Sequence, residues 1–259
     1  MCNIIAIANQ KGGAGKTTTT KNLAKGLVNE GKKVLVIDFD PQSSLSVSLG
    51  FSNTDQENNT IAELMQLAAE GKELPDAADV VRSTEEIDII LGSLSLSGVE
   101  MSIYSALDRE YILDSVLEAY KSDYDVILID CNPSLGVLVI NALVAADKVI
   151  IPVDSNYLAA KGLEQFLRTV FQVRKRKNPR LEISGILFTK YTDRTNISKI
   201  TLKDIAEAYG AHIKVFDTKI PNAVAVGVSD REGKSIFAFA PKSTVAKAYE
   251  KLVQEVIAL

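Results

Sequence analysis

Residues 9–20 read NQKGGAGKTTTT and follow the apolar run Ile4-Ile5-Ala6-Ile7-Ala8. An apolar strand, a glycine-rich turn and a helix start in succession are the context of a phosphate-binding loop. Gly12, Gly13 and Gly15, with Ala14 between them, let the backbone curl so that successive N–H groups converge on phosphate oxygens. A helix opening near Lys16 adds its positive dipole end, over Thr17 and Thr18. Lys16 supplies a point charge to β- and γ-phosphates, and Thr17 offers a hydroxyl to Mg²⁺. The ordinary pattern G-x-x-x-x-G-K-[ST] is departed from at its first position. Gln10 stands there, followed by a second lysine, Lys11.

Two acidic strand ends accompany the loop. VLVIDFDPQ (34–42) closes an apolar run with Asp38 and Asp40, and DVILIDCNPSLG (125–136) closes another with Asp130. Ligands of open α/β sheets bind at the carboxyl ends of the strands. An aspartate there can hold Mg²⁺, usually through water, because that ion keeps much of its hydration shell. Either aspartate alone could equally cap a helix or turn. With the loop at residue 11, the metal reading is the stronger one.

Further out, short Ile/Val-rich runs without alternation predict strands buried on both faces: Ile4–Ala8, Val34–Ile37, Ile87–Leu91, Val126–Ile129, Val149–Val153 and Ile183–Thr189. Helical patterns lie between them, at Lys16–Glu30, Ile61–Ala78, Leu107–Tyr120, Leu158–Lys177 and Thr244–Ala258. Ser52–Asn59 reads as a polar loop. The alternation predicts an α/β fold with a doubly wound, mostly parallel sheet and helices on both faces, a P-loop NTPase. No repeat or domain boundary interrupts it, so residues 1–259 are expected to form one domain.

Of the 259 residues, 46% are hydrophobic, enough for a sizeable core, and two cysteines, Cys2 and Cys131, provide no disulfide framework. No apolar run approaches the roughly 18 residues of a membrane span, and no secretion signal is expected. The net charge of −4 conceals an asymmetry: residues 1–159 hold 11 Lys/Arg against 23 Asp/Glu, whereas residues 160–259 hold 18 against 10. A basic second part is a hint of a polyanion-binding face, although charges that mix on a solvated surface would give the same count.

KGGAGKTT, DFDPQ and DCNPSLG together resemble the ParA/Soj partition ATPases, within the deviant Walker A, or MinD-like, class. LGSLSLSGVE (91–100), NALVAADKVIIPV (141–153), TDRTNIS (192–198) and PKSTVAKAYEKLVQEV (241–256) extend the resemblance over nearly the whole chain. The resemblance implies ATP and Mg²⁺ as ligands, and an ATP-bound homodimer in which Lys11 crosses the interface to the partner's nucleotide. Gly12 would then lack a side chain because the partner approaches closely. Asp40 would orient the attacking water, Asp130 would hold Mg²⁺ through water, and Pro221 would join the nucleotide-binding set. The resemblance further implies non-specific binding of double-stranded DNA, hydrolysis stimulated by a ParB-like or ribbon-helix-helix centromere-binding protein, and a cytoplasmic, nucleoid-associated location. An N-terminal helix-turn-helix is not expected.

The chain departs from the family's usual pattern at Asn132, Asp154, Asn156, Lys161, Asn222 and Ala225. The last two stand where arginines are common, which removes part of the usual DNA-contacting set. Arg194 matches a position the family uses for DNA, and Lys199 and Lys203 follow at helical spacing. DNA binding weaker than in typical relatives is expected, or compensation from Lys199, Lys219 or Arg231. RKRKNPR (174–180) is equally suited to a helix C-terminus or to DNA. His212, the only histidine, and Cys131 read as surface and packing residues. A MinD-type membrane ATPase would want a basic amphipathic C-terminal helix, and EKLVQEVIAL is not one. An iron–sulfur or metabolic enzyme sharing the loop would want more thiolates.

Overall fold

A computed structural model describes residues 2–84, 87–155, 159–193 and 195–259. The strands are β1 Asn3–Ile7, β2 Val34–Phe39, β3 Arg82–Ser83, β4 Asp88–Ile90, β5 Val126–Cys131, β6 Lys148–Asp154 and β7 Glu182–Thr189. The helices are α1 Lys16–Asn29, α2 Ser44–Ser48, α3 Ile61–Ala69, α4 Ala77–Val80, α5 Ser95–Ser102, α6 Ile112–Leu117, α7 Val137–Ala145, α8 Ala159–Arg176, α9 Asn196–Tyr209, α10 Val224–Arg231, α11 Ile236–Phe239 and α12 Thr244–Ile257.

Among the described residues, the strands form one seven-stranded sheet in the order β3-β4-β2-β5-β1-β6-β7. Its pairs are parallel, except that β3 runs antiparallel to β4. Successive residues of one strand serve two cores. Ile4 and Ala6 of β1 join Leu35, Ile37 and Ile129 in the core beneath α3, α6, α7 and α8. Ile5 and Ile7 join Val36, Leu128 and Ile150 beneath α1 and α12. Both faces are therefore covered, which is why the strands read as unbroken apolar runs.

The expected strands are present: β2, β5, β6 and β7 run one or two residues longer than expected, β1 begins and ends one residue earlier, and β4 is a residue shorter at each end. Two expected helices are shorter. The pattern over Leu107–Tyr120 yields only α6 and a tight turn at Glu118–Tyr120, because Asp108 takes a left-handed φ of 52° and Leu107 is 95% exposed. Ile61–Ala78 divides into α3 and α4, since Gly71 at φ 65° ends the first and Pro75 precedes the second. Buried polar side chains tie the elements together. Asn178 Nδ2 lies within 3.1 Å of the carbonyls of Leu143, Val144 and Ala146, satisfying the open end of α7. Asn141 accepts from Leu113 N at 3.0 Å and donates to Arg109 O at 2.8 Å, which fixes the start of α6.

Candidate functional site

The sheet order places β1 between β5 and β6, with β2 on the far side of β5. The loop after β1 and the acidic ends of β2 and β5 are therefore neighbours at one edge of the sheet. Residues 9–15 form the loop. Asn9 anchors it by donating to Pro152 O on β6 at 2.7 Å and accepting from Lys11 N at 3.1 Å. Gln10, the departure from the ordinary pattern, reaches outward instead, and its Nε2 donates to Gly162 O on α8 at 3.0 Å. Gly13 and Gly15 take left-handed φ values of 70° and 80°, which a Cβ would strain. Ala14 is fully buried and its carbonyl accepts from Thr189 Oγ1 at 2.8 Å.

The two lysines of the opening stretch meet. Lys16 is buried, and its ammonium folds back to donate to Lys11 O at 3.3 Å. Burial lowers the Lys16 pKa, opposed first by the nearby Asp130 carboxylate. Lys16, Thr17, Thr18, Gly12, Gly13, Gly15 and Asp40 share the wall of one cleft of about 370 Å³ with Gln42, Ser44, Pro133 and Lys190. Asp40 is half-buried and accepts from Gln42 N at 2.9 Å, which holds its turn.

Asp38 and Asp130 occupy one register position on β2 and β5, and both are fully buried. Asp38 Oδ2 accepts from Ser46 N at 2.8 Å and Ser46 Oγ at 2.7 Å. Asp130 Oδ1 accepts from Thr20 Oγ1 at 3.3 Å, and the nearby Thr17 hydroxyl favours the charged form of this carboxylate. The remaining oxygens, Asp38 Oδ1 and Asp130 Oδ2, have no hydrogen-bond partner among the described residues, nor has Asn132 Oδ1. Burial pushes the Asp38 pKa up to about 7 against the Ser46 hydrogen bonds. Burial and then repulsion from Asp38 raise that of Asp130. Two buried carboxylates, each with an unsatisfied oxygen, beside a threonine hydroxyl form an all-oxygen donor set, and Mg²⁺ fits it. Thr17, Asp130 and Asp38 would hold it.

Pro221 stands apart from this cleft. It lines a neighbouring cavity of about 760 Å³ with Tyr191, Thr218, Lys219 and residues of α12. Lys219 lies 5.9 Å from the Tyr191 ring centroid there, and its ammonium donates to Asp217 O at 3.2 Å. Lys199 and Lys203 are exposed on α9, and Lys203 pairs with Glu207 at 3.6 Å. Arg231 is exposed at the end of α10, in a third cavity bordered by Thr17, Thr18 and Asp230. Lys219 and Arg231 thus line different cavities. Arg194 lies outside the described residues. His212 is exposed and Cys131 buried.

Sequence reasoning passed over several residues that the fold brings to the site. Ser46 holds Asp38, and Gly92 N donates in turn to Ser46 Oγ at 3.1 Å. Thr20 reaches Asp130, and Thr189 and Lys190 come in from the end of β7. Gly92, Thr189 and Lys190 all lie at or just beyond the carboxyl ends of strands, a position that is itself a signal.

A family model described as an AAA domain matches residues 2–183. The chain is 40% identical over 260 aligned positions to the sporulation initiation inhibitor protein Soj of Bacillus subtilis, spanning 100% of this chain and 99% of that protein. It is 41% identical to the chromosome partitioning protein ParA of Caulobacter vibrioides, over 98% of this chain and 93% of that one. A crystal structure of cobyrinic acid a,c-diamide synthase from Mycobacterium smegmatis, with bound ATP analog and magnesium, superposes with a TM-score of 0.86 at 34% identity, over 99% of this chain and 94% of that one. One fold hosts several activities, so the curated relatives weigh more than that neighbour's name. Among the described residues no helix is long and apolar enough to cross a membrane. The seven-stranded P-loop sheet, the loop-lined cleft and the whole-length matches place this chain in the ParA/Soj family of partition ATPases.

Proposed function

We propose that this partition ATPase is a nucleotide-controlled DNA clamp that operates as an ATP-bound homodimer. The observation that supports it most is the convergence of the phosphate loop, Asp40 and the Asp38–Asp130 pair at one sheet edge. In each subunit the loop from Gly12 to Thr18 cradles the phosphates, and Lys16 swings from Lys11 O onto them. Thr17 and Asp130, with Asp38 behind, would hold Mg²⁺, which would neutralise charge on the phosphate chain. Asp40 orients the attacking water, and the base lies toward Pro221. Lys11 acts in trans on the partner's nucleotide, so assembly depends on ATP. Phosphoryl transfer asks mainly for positioning and charge stabilisation, and these groups supply both.

The dimer binds duplex DNA without regard to sequence through the basic residues of the second part of the chain: Lys199, Lys203 and Arg194, with Lys219 and Arg231. A centromere-bound partner of the ParB-like or ribbon-helix-helix kind stimulates hydrolysis and releases it. Sedimentation with ATP tests the assembly step. Wild type and Asp40→Ala should dimerise, the latter persistently, whereas Lys11→Ala should bind ATP and stay monomeric. A Lys11→Ala protein that dimerises normally with ATP overturns the trans role.

A further inference from the structure

We propose that Lys190 is a second cation that the same subunit supplies to the nucleotide's phosphate chain, at the phosphates that ADP and ATP share. The inference rests on the nucleotide reading of the cleft and adds a residue to it. Its basis is the way the end of β7 is drawn onto the phosphate loop. Thr189 Oγ1 donates to Ala14 O at 2.8 Å, and a Cβ placed on Gly15 would lie 3.4 Å from Thr189. The next residue leaves the strand in an unusual conformation. Lys190 holds φ at 50°, left-handed, where a side chain is disfavoured. Ser155 Oγ donates to its carbonyl at 3.3 Å, and Tyr191 N to Ile220 O at 2.9 Å, which hold the bend from both sides.

The bend lays the side chain along the loop. A Cβ on Gly13 would sit 3.8 Å from Lys190 Nζ, so the ammonium lies over the backbone that cradles phosphate. Lys190 is exposed in the cleft that Lys16, Thr17 and Asp40 also line. Among the described residues its ammonium makes no hydrogen bond and no ion pair. A strained residue whose charge is unspent, beside a loop built for anions, is an observation from which function can be argued.

The charge balance of a single subunit supports the same role. If Lys11 serves the partner's nucleotide, Lys16 is the one loop lysine left for the subunit's own. A polyphosphate bound before dimerisation is then under-neutralised, and a second cation in cis corrects that. The Lys190 ammonium lies over Gly13, in the middle of the loop, and the chain runs on from it through Tyr191 into the cavity at Pro221. It therefore stands on the base side of the phosphates rather than at the terminal one. A lysine serves here as a point charge, so an arginine can replace it in part.

Fluorescent (mant) ADP and ATP titrated with Mg²⁺ into the full chain test this. Lys190→Met keeps the length of the side chain and removes the charge. It should weaken both nucleotides by about five- to tenfold, the scale of one partly exposed charge-assisted contact. The deficit should shrink as salt screens the contact in the wild type. Lys190→Arg should stay within about twofold of wild type by the same scale. Lys190→Gly removes the charge and the backbone strain together. It should bind as weakly as Lys190→Met while melting no lower than wild type without nucleotide, which separates binding from folding. Lys190→Met binding both nucleotides as tightly as wild type, while Lys16→Ala loses them, overturns the proposal alone. A loss confined to ATP also overturns it. A wild-type chain that binds neither nucleotide overturns the cleft reading as well.

Discussion

Asp38 and Asp130 sit side by side in register on β2 and β5, fully buried, each with one carboxylate oxygen satisfied and the other without a hydrogen-bond partner among the described residues. In the metal-free protein this arrangement has a pH signature. Burial raises the folded-state pKa of Asp38 to about 7 and raises that of Asp130 as well. An unfolded aspartate titrates near about 3.9, so between there and about 7 the native state holds more protons than the unfolded one. Stability is therefore greatest on the acid side of that window and falls as pH rises through it. Thermal melts in EDTA should show the midpoint dropping over this range, and Asp38→Asn should flatten the slope. A wild-type midpoint that rises from pH 5 to 7 contradicts the assignment.

The support under Asp38 is equally specific. Gly92 follows β4, and a Cβ there would meet Asp38 O at 2.8 Å and Asp38 Cγ at 2.9 Å. The first is backbone and the second belongs to a buried carboxylate held by Ser46, so Gly92→Ala should destabilise by about 1–3 kcal/mol, as overpacking does. Ser46→Ala should cost a similar amount, about 1–3 kcal/mol, by leaving the Asp38 oxygen and Gly92 N short of a hydroxyl. Both should raise the Mg²⁺ concentration needed for tight ADP binding. Urea unfolding and Mg²⁺ titration measure the two effects, and a Gly92→Ala protein of wild-type stability refutes the close-packing argument.

What could be read in advance follows from where the information resides. Ile4–Ala8 and Val126–Ile129 were legible as central strands because burial on both faces writes an apolar run. Lys16, Thr17 and Asp130 could be singled out because a glycine-rich loop and an acidic strand end mark their positions, and the fold brings them together. Leu107 misled the helix assignment because an apolar residue 95% exposed mimics a core position in sequence. β3, two residues long, is too short to carry a period. Ser46, Gly92 and Lys190 act through partners remote in the chain: Gly92 reaches Ser46 across 46 positions, and Lys190 reaches the loop only because the sheet brings β7 round to β1. No local pattern records such a contact.

Lys21 is a residue of that kind. It lies on α1 with its side chain fully buried and paired with Asp230 of α10, which is 33% exposed. Its ammonium also donates to Lys234 O at 3.0 Å and Ser48 O at 3.4 Å. Removing the carboxylate takes away an anion with which the buried ammonium is paired. Asp230→Ala should therefore cost about 2–4 kcal/mol, the lower part reflecting the partial exposure of Asp230. Lys21→Met together with Asp230→Ala should be more stable than Asp230→Ala alone, since the buried ammonium that lost its carboxylate is then gone. Urea unfolding of the three variants decides it. A double variant less stable than Asp230→Ala shows that Lys21 acts through packing and its carbonyl contacts instead.

The DNA-binding face proposed above yields a prediction that distinguishes neighbours on one helix. Lys199 and Lys203 are both exposed on α9, one turn apart. Their surroundings differ, because Lys203 has Glu207 at 3.6 Å and both partners of that pair are largely exposed. An exposed pair of this kind contributes little to folding, so its members can be changed without loss of structure. For a polyanion, though, the carboxylate matters: it repels phosphate and offsets the charge of Lys203. Lys199→Ala should therefore weaken duplex binding more than Lys203→Ala, and Glu207→Gln should strengthen it. Each phosphate contact releases counterions, so the slope of log affinity against log salt should shrink by about one for Lys199→Ala. It should hardly change for Glu207→Gln, which adds no contact of its own. Fluorescence anisotropy with two unrelated duplexes, with and without ATP, across a salt series reads all of these. Lys203→Ala costing more than Lys199→Ala, or Glu207→Gln weakening the complex, would place the duplex elsewhere than on this face of α9.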